Sequence, residues 1–400
     1  MKYGFKDEFL RAIHDRSKVS GLTHDFYRHP ARYSPAFART AIKMFTNPGE
    51  LILDPFMGGG TTLVEAQSLG RKSIGSDINE LSIFVSKVKT TSLSKNDASD
   101  LSAWTATLAE KLNLRQPANL QTTWEKNGYL RNIDGKQTWP IRKILALAIA
   151  ELNALKTKRQ RNFARCVLLK TGQWALDSRK TIPSAEEFRE QLIFYFKKMI
   201  SGAILLKESA KESKPCWLSK SSINPVCLSL AAANLETFFS KNGIEAPKLI
   251  LTSPPYPGVH VLYHRWQIQG RRESPAPYWI AGTFNGNGET YYTLGNREQN
   301  GLVDYFNNLR SSFSALAKIS NKKTTVVQLV AFSDPEWQLP KYLEEMRVCG
   351  FRELKYPSLA NAEDQRIWRN VPNRKWHAHS KGRLRSSREV VLFHRLKYNF

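Results

Sequence analysis

Leu51-Ile52-Leu53-Asp54-Pro55-Phe56-Met57-Gly58-Gly59-Gly60-Thr61-Thr62 is the stretch from which the fold can be read. A short continuous apolar run ending in an acid reads as a strand buried in a parallel sheet. The glycines turn the chain straight into a helix over 63–69, and Gly70 is a natural stop for it. Upstream, Ser34 caps and Pro35 opens a helix to about Phe45, ended by Asn47-Pro48-Gly49. Downstream, Ser73-Ile74-Gly75-Ser76 predicts a second strand ending at Asp77, and a helix follows over 79–89. Strand, glycine turn, helix and acid-terminated strand form one half of a nucleotide-type α/β sheet.

A glycine turn at a strand-to-helix junction lets backbone approach a ligand and aims amides at it from a helix N-terminus. Asp54, just before the turn, suits a ligand ammonium, which a phosphate-binding loop would not tolerate. Asp77 sits where an acid accepts hydrogen bonds from ribose hydroxyls. A Gly-x-x-x-x-Gly-Lys-Ser/Thr pattern is absent, which argues against an ATPase. Leu63 stands where Gly-x-Gly-x-x-Gly needs its last glycine, which argues against a nicotinamide dehydrogenase.

Further along, helical periodicity dominates, as in 141–155, 161–172 and 185–206, with basic clusters such as Lys156, Lys158, Arg159 and Arg161. No strand is predicted again until Lys248-Leu249-Ile250-Leu251. The middle therefore reads as a helical insertion within an α/β sheet, and the chain divides into 1–96, 97–215 and 216–400. After a loop-rich segment to about Asn300, helices over 305–319 and 341–348 alternate with strands over 324–332, 351–356 and 389–394.

The second decisive stretch is Leu249-Ile250-Leu251-Thr252-Ser253-Pro254-Pro255-Tyr256. Two prolines after a buried strand fix φ and remove two backbone donors, leaving carbonyls that only accept. Ser253 adds an oxygen and Tyr256 an aromatic face. Rigid acceptors beside a ring match an exocyclic amine on an unstacked base.

Lys and Arg number 60 against 35 Asp and Glu, a net charge of +25, so the natural partner is a polyanion. No apolar run approaches a membrane span, and no secretory signal opens the chain. The four cysteines, Cys166, Cys216, Cys227 and Cys349, form no CxxC pair, which fits a reduced cytoplasmic protein without a metal site. Between Arg366 and Arg388 lie eight basic residues and no acids, interleaved with Trp368, Trp376, His377 and His379. This segment reads as a loop contacting phosphates, through Arg369, Arg374, Lys375 and Lys381. Arg265, Arg271 and Arg272 follow the Pro-Pro turn closely and are candidates for the same surface.

Taken together, residues 54–62 and 253–256 resemble the two motifs of the DNA amino-methyltransferases, which form N4-methylcytosine or N6-methyladenine. The stretch His29-Pro30-Ala31-Arg32-Tyr33-Ser34-Pro35 resembles the segment that precedes the cofactor motif in that family and closes over the methionine end. The resemblance covers roughly 24–90 and 245–395. It implies a Rossmann-like class I methyltransferase sheet, S-adenosylmethionine as cofactor and double-stranded DNA as partner, and leaves room for a cognate restriction endonuclease. Asp54, Phe56, Gly58, Gly60, Thr61, Thr62 and Asp77 would hold the cofactor. Asn234 is the candidate for its adenine, where the family often has an acid. Ser253, Pro254, Pro255 and Tyr256 would hold the flipped base, with no covalent intermediate. Serine at the first position of this motif favours cytosine-N4 over adenine-N6 by family tendency. Residues 97–215, the largest surplus length between the two motifs, are expected to supply much of the target recognition, the alternative being a scaffold or dimerisation subdomain.

Three rivals remain. An RNA guanine-N2 methyltransferase shares the cofactor turn but has Asp where this chain has Ser253. A catalytically dead nucleic-acid-binding protein would not need both motifs intact. A cytosine-C5 enzyme would use Pro215-Cys216, but Trp217 follows and no buried strand precedes.

Overall fold

The computed structural model describes every residue except 1–2, 18, 30–31, 119–122, 216–222, 258–264, 271, 285–293, 296–298, 376–385 and 398–400. At its centre is a mixed, mostly parallel sheet, in the order β3-β2-β1-β4-β7-β10-β8. The strands are β1 Leu51–Asp54, β2 Lys72–Asp77, β3 Val226–Ser229, β4 Leu249–Thr252, β7 Thr325–Ala331, β8 Phe351–Glu353 and β10 Ser386–Leu396. Strand β9 Ile367–Lys375 pairs with β10, and β5 Trp266–Ile268 with β6 Arg272–Ser274 forms a separate hairpin. Strand β10 runs antiparallel to β7, β8 and β9. The α/β sheet read from the glycine turn, and the Rossmann-like architecture that the resemblance implies, are observed.

The parallel strands are uniformly apolar because both faces are covered. Helices α1 Lys6–His14, α2 Pro35–Phe45 and α3 Thr61–Ser68 line one face, burying Phe37, Ile42 and Phe393 in a shared core. On the other side α10 Leu235–Lys241, α12 Gln299–Lys318 and α13 Pro335–Val348 pack Phe239, Phe313 and Tyr342 against Ile250 and Val326. Ser34 caps α2 by accepting from the Ala36 amide at 3.2 Å, as the Ser-Pro pair predicts.

The middle of the chain is helical, with α5 Lys95–Lys111, the short α6 Thr123–Lys126, α7 Trp139–Glu151, α8 Lys158–Leu176 and α9 Ala185–Ser213. Ser94, Thr157 and Ser184 each close a capping box at the start of α5, α8 and α9. These helices do not form a core of their own. Phe163, Leu168 and Phe196 share one with Leu81 and Val85 of α4 Glu80–Thr90, and with Trp266, Tyr278 and Ile280 of the hairpin and α11 Ala276–Ala281. The aromatic edge of Trp266 fills the space over Gly172, where an added Cβ would stand 2.7 Å from it. Residues 266–281 thus pack with the insertion, although they follow the Pro-Pro turn in sequence.

Several elements depart from the sequence reading, among them β5, β6 and α11, which form within the segment read as loop-rich. Strand β3 extends the sheet at its edge, parallel to β2, well before Lys248. Helix α1 buries Phe9 and Ile13 under the sheet. The basic stretch after Arg366 is an antiparallel arm and not a loop where described, since 367–375 pair with β10.

Candidate active site

Sequence order reverses between β1 and β4, which lie side by side at the centre of the sheet. Crevices outside the carboxyl ends of strands at such a reversal are where open α/β sheets bind ligands. The two decisive stretches occupy this position: the glycine turn leaves β1, Asp77 ends β2, and Ser253-Pro254-Pro255-Tyr256 leaves β4.

Asp54 ties these ends together. Its side chain is 1% exposed. Oδ1 accepts from Thr252 Oγ1 at 2.9 Å and the Phe56 amide at 3.2 Å. Oδ2 accepts from Thr62 Oγ1 at 2.5 Å and Tyr33 Oη at 3.0 Å. Burial pushes its pKa up, against the pull of these donors. A carboxylate so enclosed is a hub inside the protein. The expectation that Asp54 itself meets a ligand ammonium is replaced by an indirect role, because both oxygens are occupied by protein donors. Thr62 is fully buried in the same cluster, and Thr61 is nearly so.

The glycines carry out what the sequence predicts. Gly58 and Gly60 have φ of +45° and +73°. The His29 ring lies so close that a Cβ at Gly58 would stand 3.1 Å from it, and one at Gly59 only 2.9 Å from His29 Cβ. The stretch preceding the turn therefore folds onto it, through His29 and Tyr33; Pro30 and Ala31 lie outside the described residues. From beneath, Lys89 donates to the Gly59 carbonyl at 2.7 Å, and burial pulls its pKa down to about 7. Helix α3 has no side-chain cap at its N-terminus.

Asp77 differs from Asp54 in being only half-buried. Oδ2 accepts from the Gly58 amide at 2.9 Å and Oδ1 from the Asn79 amide at 2.8 Å, and the Ile78 amide also faces the carboxylate. Its neighbour Ile78 is a large apolar side chain 45% exposed. Asn79 caps α4 and donates to Tyr278 Oη at 2.7 Å, fixing the end of β2. Asn234 is exposed at the end of the turn after β3, and its side chain makes no cap hydrogen bond. Half-buried Phe56 packs against the core beneath the turn. An acid for ribose, an apolar side chain for a purine face and uncapped amides for a carboxylate fit S-adenosylmethionine.

Burial raises the Asp77 pKa to about 6. Between about pH 6 and its ordinary value of 3.8 the folded protein holds a proton that the unfolded chain lacks, so this residue favours the fold as pH falls through 6. Ribose binding needs the carboxylate and runs the other way. Cofactor affinity is expected to weaken as pH drops below 6, by about tenfold at pH 5. Equilibrium titration across pH 5 to 8 would show this slope, and Asp77→Asn would flatten it.

In the second stretch Pro254 is buried, while Ser253, Pro255 and Tyr256 are half-exposed. Ser253 Oγ lies 2.9 Å from Tyr256 Oη and 2.9 Å from the Leu329 carbonyl of β7. Tyr305 donates to the Pro255 carbonyl at 2.9 Å from its buried position on α12. Tyr256 Oη donates to Glu389 Oε1 at 3.0 Å. The Leu249–Thr252 pairing to Thr325–Gln328 sets this turn against β7.

The cations of the expected phosphate-contacting surface differ in where they lie. Arg272 is exposed on the hairpin and Arg265 is half-buried at its foot. Arg369 faces inward, donating through Nε and Nη2 to Glu389 Oε2 at 2.8 and 2.6 Å and through Nη1 to the Ile13 carbonyl at 3.1 Å. That guanidinium holds the fold and is not a phosphate ligand. Arg388, exposed on the same arm, lies over the Trp368 ring at 4.8 Å. Arg374 and Lys375 belong to β9, but their side chains, like Arg271, Lys381 and Cys216, lie outside the described residues. Among the described residues no cluster could hold a metal ion, and no helix is long and apolar enough to cross a membrane.

Sequence reasoning missed Ile78, Lys89, Tyr305 and Glu389. An exposed isoleucine directly after a strand-ending acid was a signal for the first; the others act through tertiary contacts alone.

Residues 4–86 match the family model described as DNA methylase. The chain is 36% identical over 90 residues to the type II methyltransferase M.MjaII of Methanocaldococcus jannaschii, covering 22% of this chain and 17% of that protein. It is 35% identical over 96 residues to the type II methyltransferase M.MvaI of Kocuria varians, covering 21% of each. It is 37% identical over 67 residues to the DNA adenine methyltransferase YhdJ of Escherichia coli, covering 17% of this chain and 23% of that protein. The chain thus spans about a fifth of the length of these curated relatives.

Proposed function

We propose that this chain, similar to the DNA amino-methyltransferases through residues 4–86, methylates the exocyclic N4 of cytosine in duplex DNA. Enzymes of this family use S-adenosylmethionine as methyl donor. The observation that carries the reading is the position of the glycine turn and the Ser-Pro-Pro-Tyr turn. They leave adjacent strands on either side of the sheet's reversal point and are joined through Asp54 and Thr252.

Bound there, S-adenosylmethionine supplies an electrophilic methyl group. The chain's part is positioning and acceptance of charge. Asp77 would hold the ribose, Ile78 and Asn234 would flank the adenine, and the uncapped N-terminus of α3 would face the carboxylate. The Ser253 oxygen and the Pro254 carbonyl would accept from the amine, so that its lone pair is directed at the methyl group. Tyr256 would stack on the base. Extrusion of the base from the duplex costs a few kcal/mol, roughly offset by such stacking and by phosphate contacts. Arg272 and Arg388, both exposed, are suited to those contacts. The helical layer over 97–215 is the proposed source of sequence recognition; exchanging it for that of a relative should move the methylated site, and an unmoved site would reject the assignment.

A second reading, adenine-N6, is favoured by the likeness to the Escherichia coli adenine methyltransferase. The deciding experiment is incubation with methyl-labelled S-adenosylmethionine and duplex DNA, followed by nucleoside analysis. Label in N4-methylcytosine is expected. Label in N6-methyladenine selects the second reading, and label in N2-methylguanosine of RNA, or none, overturns both.

A further inference from the structure

We propose that Glu389, paired with Arg369, is a positioning residue that sets the direction of the hydroxyl protons at the Ser253–Tyr256 pair, so that Ser253 meets the substrate amine as an acceptor. This rests on the methyltransferase reading above.

The register of the sheet builds the device. Glu389 of β10 pairs across to Ala331 of β7 on one side and to Arg369 of β9 on the other. Its side chain is 3% exposed. Two Arg369 donors converge on Oε2, at 2.8 and 2.6 Å, a charge-assisted pair at a buried position. The other oxygen, Oε1, accepts from Tyr256 Oη at 3.0 Å.

Tyr256 has one hydroxyl proton, and the carboxylate takes it. The 2.9 Å contact between Tyr256 Oη and Ser253 Oγ then has only the serine proton available. That proton points either to Tyr256 or to the Leu329 carbonyl at 2.9 Å, and both lie within the protein. In each case the serine donates inward and its lone pairs are left for an external donor. An exocyclic amine about to lose a proton is such a donor. A neutral amide in place of Glu389 removes this bias. Its N–H can donate to Tyr256, which then turns its proton onto Ser253 and occupies a lone pair the amine needs.

The test is a double-mutant cycle between Glu389→Gln and Tyr256→Phe, with single-turnover methylation and equilibrium binding of S-adenosylmethionine and DNA measured for all four proteins. Glu389→Gln preserves volume. It is expected to lower kcat by about tenfold or more, with KM for DNA and cofactor affinity unchanged. In the Tyr256→Phe background the same substitution should have little further effect, because no tyrosine proton remains to be directed. Glu389→Asp, which keeps the charge, should restore part of the rate. Independent, additive losses in the two backgrounds would overturn the proposal, as would a Glu389→Gln protein whose loss appears in KM alone. If wild-type protein transfers no methyl group to DNA, it is the methyltransferase reading that fails, before the cycle is begun.

Discussion

Ser253→Ala is expected to lower kcat by about 100-fold while leaving cofactor binding intact, the magnitude typical of losing one oriented polar group at a reacting centre. The serine sits at the head of the Pro-Pro turn, on the far side of Asp54 from the glycine turn, so the cofactor half should not register its loss. Locally, the change strips a partner from Tyr256 Oη and from the Leu329 carbonyl. Tyr256 Oη keeps its bond to Glu389, so the loss should cost no more than about 1–3 kcal/mol, which a folded protein of this size should survive. Single-turnover rates at saturating cofactor, set beside equilibrium cofactor titrations, separate the two effects. A parallel collapse in cofactor affinity would mean that Ser253 supports the fold of the whole crevice and not the reacting amine.

Asp54→Ala should do the opposite: lose stability first and cofactor binding with it. Four protein donors converge on this carboxylate. Removing it leaves the Phe56 amide and three hydroxyls without their acceptor at a fully buried site, an expected cost of about 3–5 kcal/mol. Asp54→Asn should be milder, since the hydroxyls of Thr62 and Tyr33 can turn to accept from the new amide while the carbonyl still serves Phe56. The urea midpoint measured without cofactor decides the matter. A variant as stable as the wild type but unable to bind cofactor would restore the direct contact with a ligand ammonium that the sequence suggests.

How much was legible depended on whether an element's burial depends on itself or on its neighbours. Leu51-Ile52-Leu53 and Leu249-Ile250-Leu251 announce themselves because a central parallel strand must be apolar on both faces. Val226–Ser229 lies at the sheet edge, is half-exposed, and is too short to carry a pattern. Strand β9 contains Pro372 and Asn373, which usually argue against strand, yet it forms because β10 extends far enough to pair with it. Of the site, the backbone chemistry was readable: glycines at positive φ, prolines without donors, an acid at a strand end. The side-chain circuitry was not. Arg369 reads as one more cation in a basic run, and only the antiparallel register brings it opposite Glu389. Asp54 likewise reads as a ligand-binding acid until the positions of Tyr33 and Thr252 are known.

The helical insertion separates two strands that are neighbours in the sheet. Between β2 and β3 the chain runs through residues 78–225, and β1 awaits its second partner β4 for longer still. During synthesis at about 5–20 residues per second, the first two strands would emerge on the order of ten seconds before β3. The helices over 95–213 can pack onto α4 in that interval, while the part of their shared core from Trp266, Tyr278 and Ile280 arrives only after β4. Premature termination after the insertion would therefore leave a helical body with an unfinished sheet and one bare flank of β1. A complete cofactor crevice requires the late strands, so nascent chains should be unable to retain S-adenosylmethionine until β4 has left the ribosome.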